Sequence, residues 1–410
     1  MSNRVVITGM GTINPIGANV ADTWNAALAG RSGVATLDND WAERYELPLN
    51  FAALAQGDPS EVIPVREIKR MDRSTQLVTV AALEAWEDAG SPEVDGERLA
   101  VLASSGIGGV TTLLGGWDTV RERGARRVLP LTVPMLMPNA PAANLSVRFG
   151  AKAGAHAPVS ACASGAEAIA WATRLIRDGA ADVVIAGGTE ACIHPATLAF
   201  FAKMQAVSTR NDDPQGASRP YDVDRDGFVM GEGAGVVVLE SEAHARARGA
   251  RIHGEVAGVG MSADAYDIAP PDPTGVGQER AMRLAIADAG IEGPQVVHVN
   301  AHATSTPAGD IVEAEAIARV TGEQVLVTGT KSMTGHLLGG AGSLETILTV
   351  LALQNRLVPP TINVENPEPN LPVDLVRDTP REISGASDLY AINNAFGFGG
   401  HNVALVVTSA

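Results

Sequence analysis

The stretch VSACASGAEAIAW, residues 159–171, carries the most informative pattern in the chain. From Cys162 to about Ile176 there is no proline, and the run is rich in Ala, Ile, Leu and Trp. This pattern predicts a buried helix whose small first turn lets another backbone or a substrate come close. Cys162 would lie at the positive end of that helix, which favours the thiolate. A cysteine at a helix start is also often only a small buried hydrophobe.

Size and composition indicate a tightly packed α/β protein. A chain of 410 residues is long enough for two units, and it combines 45% hydrophobic residues and 44 glycines with only 4% aromatics. No apolar run approaches the roughly 18 residues of a membrane span. The N-terminus lacks signal-peptide features, and Cys162 and Cys192 form neither a disulfide framework nor a zinc pattern. We therefore expect a soluble cytoplasmic protein that does not bind membranes.

The net charge of −17 argues against general nucleic-acid binding and makes the few basic clusters conspicuous. Each cluster is either a solvated face or a docking site, and the sequence leaves both interpretations open. The clusters are Arg66, Lys69, Arg70 and Arg73, and then Arg121, Arg123, Arg126 and Arg127.

Two glycine-rich segments resemble cofactor motifs but depart from them. Residues 4–17, RVVITGMGTINPIG, are predicted to form a strand followed by a glycine turn. The third glycine of a dinucleotide fingerprint is missing, however, and Pro15 lies where the helix should begin. Residues 218–235 contain aspartates at the spacing of a calcium loop. The twelfth position is Gly233 rather than a bidentate Glu, and no helix leads in. We expect no metal and no nicotinamide.

Short echoes along the chain indicate an internal duplication. LAIADAG at residues 284–290 resembles LEAWEDAG at 83–90, and each leads to an apolar strand. The glycine-rich opening and apolar helix of residues 335–353 resemble the Cys162 segment. Two similar α/β halves related by a pseudo-twofold axis are the economical interpretation. A charged stretch near residue 245 divides them into 1–245 and 246–410.

Polar residues in the second half complement Cys162. His302 lies in NAHATSTPAGD, Lys331 and His336 lie in GTKSMTGH, and Glu313 follows shortly after the first segment. Either histidine alone is as easily structural as catalytic, but a lysine beside a buried strand needs a partner. A nucleophilic Cys, two His and a Lys on glycine-lined turns predict an acyl-transfer site.

Five motifs in order make the sequence resemble a known family over essentially its whole length. They are SACASGAEAI, RPYDVDRDGFVMGEGAG, AHATSTPAGD, KSMTGHLLGGAG and NNAFGFGGHN. The chain resembles the β-ketoacyl-acyl carrier protein synthases, the decarboxylating condensing enzymes of fatty acid synthesis, and most of all the elongating type II enzymes. The resemblance implies a thiolase-like α/β fold with duplicated halves in a five-layer αβαβα arrangement, assembled as a homodimer.

The resemblance also implies roles for the polar residues. Cys162 matches the nucleophile that takes the acyl chain as a thioester. His302 and His336 match the pair that assists malonyl decarboxylation and holds the enolate, so both must be neutral. Lys331 matches the lysine that orients this pair and lowers its pKa values, with Glu313 as its acidic partner. No cofactor is implied, because loss of CO2 supplies the driving force.

Further positions are implied in the same way. Phe398, between glycines, matches a gating phenylalanine whose backbone amide joins that of Cys162 in the oxyanion hole. Thr304 and Thr306 match residues along the phosphopantetheine arm, and Ile107 matches a residue of the acyl pocket. The positions matching the docking site of the acidic acyl carrier protein are Lys69, Arg126 and Arg127.

The sequence departs from the family pattern at four positions. Asn300 and Ala303 stand where many relatives have Glu and Gly, and Ala395 and His401 where Ser and Thr are common.

Three other functions are alternatives to this interpretation. Ketosynthases of polyketide pathways use the same chemistry. A non-catalytic chain-length partner subunit would lack the nucleophile, and a thiolase would carry a further cysteine near the C-terminus.

Overall fold

A computed structural model describes residues 4–385 and 389–409 of the chain. The strands are β1 Val5–Ile13, β2 Ala35–Thr36, β3 Phe51–Ala52, β4 Leu99–Ser105, β5 Gly154–His156, β6 Val183–Glu190, β7 Gly233–Ser241, β8 Gly254–Ala263, β9 Val296–Asn300, β10 Leu326–Thr328, β11 Leu357–Val358, β12 Asp374–Leu375, β13 Arg381–Glu382, β14 Tyr390–Gly397 and β15 His401–Ser409. The helices are α1 Val20–Leu28, α2 Trp41–Tyr45, α3 Val65–Ile68, α4 Arg73–Asp88, α5 Val110–Arg123, α6 Thr132–Leu136, α7 Ala140–Phe149, α8 Ser164–Arg177, α9 Pro195–Lys203, α10 Glu242–Ala247, α11 Val276–Ala289, α12 Gly309–Thr321, α13 Lys331–Thr334 and α14 Ala341–Asn355.

The strand order repeats between the two halves. In the described residues the first half forms the run β1-β7-β6-β4-β5, and the second half forms β8-β15-β14-β9-β10 with β12 added at the edge. Each run begins with two antiparallel pairings and continues with two parallel ones. The runs meet where β1 pairs with β8, Val6 opposite Glu255 and Ile7 opposite Gly254.

The outer helices pack on the two sheets through matching glycines. A Cβ added at Gly9 or Gly11 of β1 would lie 2.0 Å from a carbonyl oxygen of α4. A Cβ at Gly258 or Gly260 of β8 would lie 2.1 or 2.0 Å from a carbonyl oxygen of α11. The helix backbone therefore rests directly on the strand in both halves, and only glycine fits at these four positions.

The repeated Asp-Ala-Gly of the sequence echo has a physical cause in this packing. Asp88 accepts a hydrogen bond from the amide of Met10 at 2.9 Å, between the two glycines of β1. Asp288 accepts from the amide of Val259 at 2.8 Å, between the two glycines of β8. The pairing of β1 with β8 ends at Ile7 and Glu255, so each aspartate pairs a strand amide that lies beyond that ladder.

The helices α8 and α14 form the middle layer. Both contact strands of the two runs, while α4 and α11 cover the outer faces. The two central helices approach through small residues, because a Cβ at Gly165 would lie 2.8 Å from the carbonyl oxygen of Gly339, and one at Gly342 would lie 2.8 Å from the Cβ of Ala166. The predicted αβαβα arrangement of duplicated halves is confirmed.

The central helix of the first half differs in detail from its prediction. It begins at Ser164, and Cys162 lies in a preceding 3-10 turn, Ala161–Ala163. It is also less buried than its composition indicates. Trp171 is 41% exposed because this side of α8 faces solvent rather than a sheet, and its indole N–H donates to Glu167 at 3.0 Å.

In the described part of the chain, no helix is long and apolar enough to cross a bilayer.

We expect Gly11→Ala and Gly260→Ala to destabilise the protein to a similar degree. Each added methyl group meets a helix carbonyl at 2.0 Å, which forces the helix off its strand. A loss of about 3 kcal/mol in the free energy of unfolding is expected for each. Urea unfolding followed by circular dichroism measures it.

Gly115→Ala is the matched control, because a Cβ there meets nothing within 4 Å and the residue lies in the interior of α5. It should leave the free energy of unfolding unchanged or raise it by up to about 1 kcal/mol. An equal loss in all three variants would contradict the packing argument.

Candidate active site

The nucleophile candidate lies on a strained turn at the start of the middle layer. Ala161 has φ +51°, a left-handed conformation that residues with a Cβ seldom adopt. Leu338 has φ +45° in the corresponding turn before α14, so Gly339 is the pseudo-symmetric counterpart of Cys162. The end of β14 presses on the turn: a Cβ at Gly397 would lie 2.2 Å from the carbonyl oxygen of Ser160. The sulfur is thereby fixed between elements of both halves.

Burial raises the pKa of the Cys162 thiol to about 12. The positive charge of Lys331 and hydrogen bonds from the amides of Phe398 and Cys162 lower it, while Glu190 raises it further. The sequence prediction that a helix start favours the thiolate is therefore wrong for the resting protein. The loss of hydration around a side chain that is only 6% exposed outweighs the amides at the turn.

A cavity of about 410 Å³ opens in front of the sulfur. Most of its lining is apolar, and β9, α13, α14 and the β14–β15 hairpin all reach it through adjoining turns. The predicted residues that line it are Cys162, His302, Thr304, Thr306, Glu313, His336 and Phe398. A wider groove of about 900 Å³ lies near the β1–β8 junction, but its lining contains none of the predicted residues and its charges pair with one another.

The two histidines face each other in this cavity. Their ring centroids are 5.3 Å apart and their planes are nearly perpendicular, at 84°. His302 follows β9, and His336 lies in the turn after α13, where its amide donates to the carbonyl of Val229 at 2.7 Å. Burial, and secondly the charge of Lys331, hold the pKa of each imidazole well below its ordinary value. Both rings are neutral near pH 7, in the direction predicted from the sequence.

The partner of Lys331 is Glu345. The ammonium nitrogen lies 2.5 Å from Glu345 Oε1, and both side chains are buried. Burial raises the pKa of the Glu345 carboxyl to about 7 against the opposing effect of Lys331. The prediction that Glu313 pairs with this lysine is wrong. A signal for Glu345 was present, since it is the one acidic residue of the apolar run 335–353.

Glu313 instead fixes the backbone beside His302. Its two oxygens accept from the amides of His302 and Ala303, both at 2.8 Å, and Asn394 donates to it at 3.0 Å. Glu313 lies in the second turn of α12, directly beside the chain that follows β9. Its carboxylate therefore bonds to these backbone amides and not to Lys331. Burial raises its pKa.

Most of the chain aligns with one family. Residues 2–245 match the family described as β-ketoacyl synthase, N-terminal domain, and residues 253–365 match the corresponding C-terminal domain. The chain belongs to the β-ketoacyl synthase family. The resemblance drawn from the five motifs is confirmed.

Individual relatives of this β-ketoacyl synthase span its length. The 3-oxoacyl-[acyl-carrier-protein] synthase 2 of Vibrio cholerae is 45% identical, over 98% of each chain. The crystal structure of a β-ketoacyl synthase from Burkholderia phymatum superposes with a TM-score of 0.92 at 36% identity, over all of both chains. The structure of a type II polyketide acyl-carrier protein in complex with its ketosynthase, bound to the hexaketide, superposes with a TM-score of 0.90 at 28% identity, also over all of both chains.

Two departures from the family pattern have visible consequences in this β-ketoacyl synthase. Ala303 takes φ +30°, so the methyl group that replaces a glycine hydrogen adds strain beside His302. Asn300 is buried and accepts from the hydroxyl of Thr330 at 3.2 Å. Its amide donates to the carbonyl of Glu345 at 3.4 Å. Ala395 is buried next to Gly342, whereas His401 is exposed.

The hairpin after β14 brings the Phe398 amide towards Cys162, where it lowers the pKa of the thiol. Gly399 and Gly400 take φ +87° and +71°, conformations that the turn requires and that glycine permits. At the cavity, the hydroxyls of Thr304 and Thr306 lie 3.2 Å apart.

The remaining predicted positions lie outside the cavity. Ile107 is 39% exposed in the turn between β4 and α5 and does not reach the cavity lining. Lys69 follows α3, and Arg126 and Arg127 follow α5. All three basic side chains are exposed, and within residues 4–385 and 389–409 none of them forms an ion pair.

We expect a double-mutant cycle to separate the two candidate partners of Lys331. Removing one member of a buried pair leaves the other charge uncompensated, so Lys331→Met and Glu345→Gln should each cost about 3 kcal/mol of unfolding free energy. The double variant should cost much less than the sum, because neither charge remains.

The matched cycle uses Lys331→Met with Glu313→Gln. Its coupling energy in urea unfolding should be clearly smaller, because Glu313 bonds to backbone amides and Asn394. Equal coupling in the two cycles would contradict the assignment of Glu345.

Proposed function

We propose that this β-ketoacyl synthase catalyses the decarboxylating condensation of acyl-[acyl carrier protein] with malonyl-[acyl carrier protein]. The products are 3-oxoacyl-[acyl carrier protein] and CO2, in fatty acid chain elongation. The observation that carries the proposal is the arrangement of one thiol and two neutral imidazoles around a single cavity, with a buried ammonium group behind them. The name of the Vibrio cholerae relative supports the substrate class.

In the first step the Cys162 sulfur attacks the acyl thioester. A carbon–sulfur bond to Cys162 forms, the bond to the carrier sulfur breaks, and the thiol proton ends on the carrier thiol. Because burial raises the thiol pKa, the sulfur must lose its proton during the attack, and nearby Lys331 favours the anion. The amides of Phe398 and Cys162, both of which act on the thiol pKa, are suited to stabilise the carbonyl oxyanion.

In the second step malonyl thioester loses CO2. The bond to the carboxylate carbon breaks, and its electron pair passes into an enolate whose oxygen gains negative charge. His302 and His336 can each donate an N–H to that oxygen, since both are neutral and line the cavity. The enolate carbon then attacks the Cys162 thioester, a carbon–carbon bond forms, and the released sulfur takes a proton from solvent.

Glu313 and Lys331 act through the histidines rather than on the substrate. Glu313 holds the two amides around His302 and so fixes the direction of its ring. Burial, and secondly the charge of Lys331, keep both imidazoles neutral, while Glu345 compensates that charge within the core. The site therefore combines neutral donors with a nearby cation without exposing the cation to the substrate.

The acyl carrier protein is the proposed partner at the entrance. Lys69, Arg126 and Arg127 are exposed and unpaired in the described chain, on a protein of net charge −17, so they can attract an acidic carrier. Thr304 and Thr306 offer hydroxyls to the phosphopantetheine arm that would enter the cavity. The ketosynthase structure in complex with its acyl-carrier protein supports this partner.

A homodimer is proposed from an uncovered apolar surface. None of the residues of α5 is buried, although this helix and the adjoining turns are rich in large apolar side chains. A second copy of the chain would cover them, and would enclose Ile107 at the inner end of an acyl pocket. The exposed apolar side chains of this surface are Ile107, Leu113, Trp117, Val120, Leu129 and Val133.

We also propose that the protein is cytoplasmic and that its two halves divide between residues 245 and 246.

The same chemistry in a polyketide pathway is the alternative. The polyketide ketosynthase structure is 28% identical, against 45% for the 3-oxoacyl synthase relative, which favours fatty acid elongation. A non-catalytic chain-length subunit is disfavoured by the presence of Cys162. Incubation with malonyl carrier and acyl carriers of several lengths, with the products identified by mass, separates these activities.

We expect Cys162→Ala to abolish condensation while malonyl decarboxylation survives. The variant lacks the sulfur that holds the acyl chain but keeps both imidazoles. Release of CO2 and formation of 3-oxoacyl carrier are measured in parallel. Cys192→Ala, which changes the other cysteine, should retain both reactions. Continued elongation by the Cys162 variant would refute the assignment of the nucleophile.

We expect decarboxylation by Cys162→Ala to persist as the pH falls through about 6.5. An ordinary histidine becomes protonated there, but burial and Lys331 hold the pKa of His302 and of His336 well below that value. The neutral donors therefore remain until the pH approaches the lowered pKa values. Initial rates from about pH 5 to 8, with circular dichroism to verify folding, test this. A loss of rate centred near pH 6.5 with the fold intact would contradict it.

A further inference from the structure

Glu190 is a buried carboxylate to which the proposed reaction gives no role. It ends β6 and is shielded from solvent. Oε1 accepts from the hydroxyl of Ser105 at 2.7 Å, and Oε2 accepts from the amides of Gly106 at 2.9 Å and Gly339 at 3.2 Å. These partners are neutral, and in the described part of the chain no basic side chain pairs with it. A buried carboxylate held only by neutral donors is costly, so its position calls for an explanation.

The donors belong to two turns that flank the cavity region. Ser105 and Gly106 lead into the turn that carries Ile107, and the Ser105 hydroxyl also accepts from the amide of Gly108 at 2.8 Å. Gly339 lies in the turn before α14 and is the counterpart of Cys162 in the second half. One carboxylate therefore ties the expected acyl-pocket turn to the middle layer.

The same carboxylate lies behind the nucleophile. A Cβ added at Gly106 would be 2.9 Å from Glu190 Oε2 and 3.1 Å from the carbonyl oxygen of Ala161, the residue before Cys162. Gly106, which opens the Ile107 turn, thus lies against both the carboxylate and the nucleophile turn. Consistently, the charge of Glu190 raises the pKa of the Cys162 thiol.

We propose that Glu190 is a positioning residue that locks the Ile107 turn against the Cys162 turn and thereby determines which acyl chains fit beside the sulfur. The chain-length part of this proposal rests on the proposed function. A carboxylate suits the position because both oxygens accept from converging donors. A glutamine whose carbonyl oxygen kept the two amides would place its NH2 group at the Ser105 hydroxyl, which would then have to accept instead of donate.

Other titratable groups around the sulfur set the background for a test. Lys331 acts from α13 and lowers the thiol pKa, and the neutral His302 and His336 face the sulfur across the cavity. Cys192, at the end of β6, lies near both Glu190 and Cys162, but burial raises its pKa and keeps it protonated. Burial raises the pKa of Glu190 itself to about 7, so above that pH it is the anion whose removal should be felt at Cys162.

The experiment compares the full chain with Glu190→Gln, Glu190→Asp and Ser105→Ala. The first readout is the rate of iodoacetamide alkylation of Cys162 from about pH 7 to 11, with the modified peptide identified by mass. Glu190→Gln should move this profile about one pH unit lower, because an adjacent negative charge is lost. Glu190→Asp and Ser105→Ala keep the charge and should leave the profile in place.

The second readout is kcat/KM for short and long acyl carriers. All three variants loosen the Ile107 turn, so the ratio between long and short chains should change about tenfold. Malonyl decarboxylation should be unchanged, because the histidines lie on other elements. A purely structural role would lower stability without moving either the pH profile or the ratio.

Each outcome bears on one part of the inference. An unshifted alkylation profile in Glu190→Gln would overturn the placement of the charge behind the sulfur, and this assay needs no substrate. An unchanged chain-length ratio in elongating variants would overturn the positioning role. Failure of the unmodified protein to elongate would instead overturn the proposed function. If Glu190→Gln does not fold, Ser105→Ala decides the chain-length part alone.

Discussion

The close contact between the two central helices is the constraint on which the site depends. Gly165 and Gly342 carry no side chain where α8 and α14 approach, so the helix starts lie against each other instead of being held apart by larger residues. The turns before these helices hold Cys162 and, in the second half, Gly339. A larger residue at this contact would separate the sulfur from the histidines, even though none of these glycines takes part in the chemistry.

The duplicated fold divides the chemistry between its halves. The same strand order and the same glycine contacts occur twice, but the proposed nucleophile occurs in the first turn only. In the second turn Gly339 replaces it, and its amide donates to Glu190. The basic groups, in turn, come from the second half: His302, Lys331 and His336 follow β9 and β10. The proposed reaction centre thus receives different side chains from two halves that share the same fold.

Local patterns in the sequence predicted two similar α/β halves and a site of Cys, His and Lys, whereas the five layers and the residue roles came from the family resemblance. The echo around Asp88 and Asp288 reflects one packing device used twice. What failed depends on distances between remote segments. Glu313 was assigned to Lys331 through the family resemblance, yet the lysine pairs with Glu345, 14 residues further along the chain in an apolar helix. The thiol pKa was predicted from the helix end alone, whereas burial by both halves decides it.

The high thiol pKa of Cys162 has a consequence outside the catalytic cycle. Peroxides and small disulfides react with thiolates, so a buried sulfur that is kept protonated is a poor target for them. An idle molecule therefore resists oxidative inactivation despite carrying a nucleophile. By the same argument, electrophilic inhibitors gain little from intrinsic reactivity here and depend on shape complementarity to reach the sulfur.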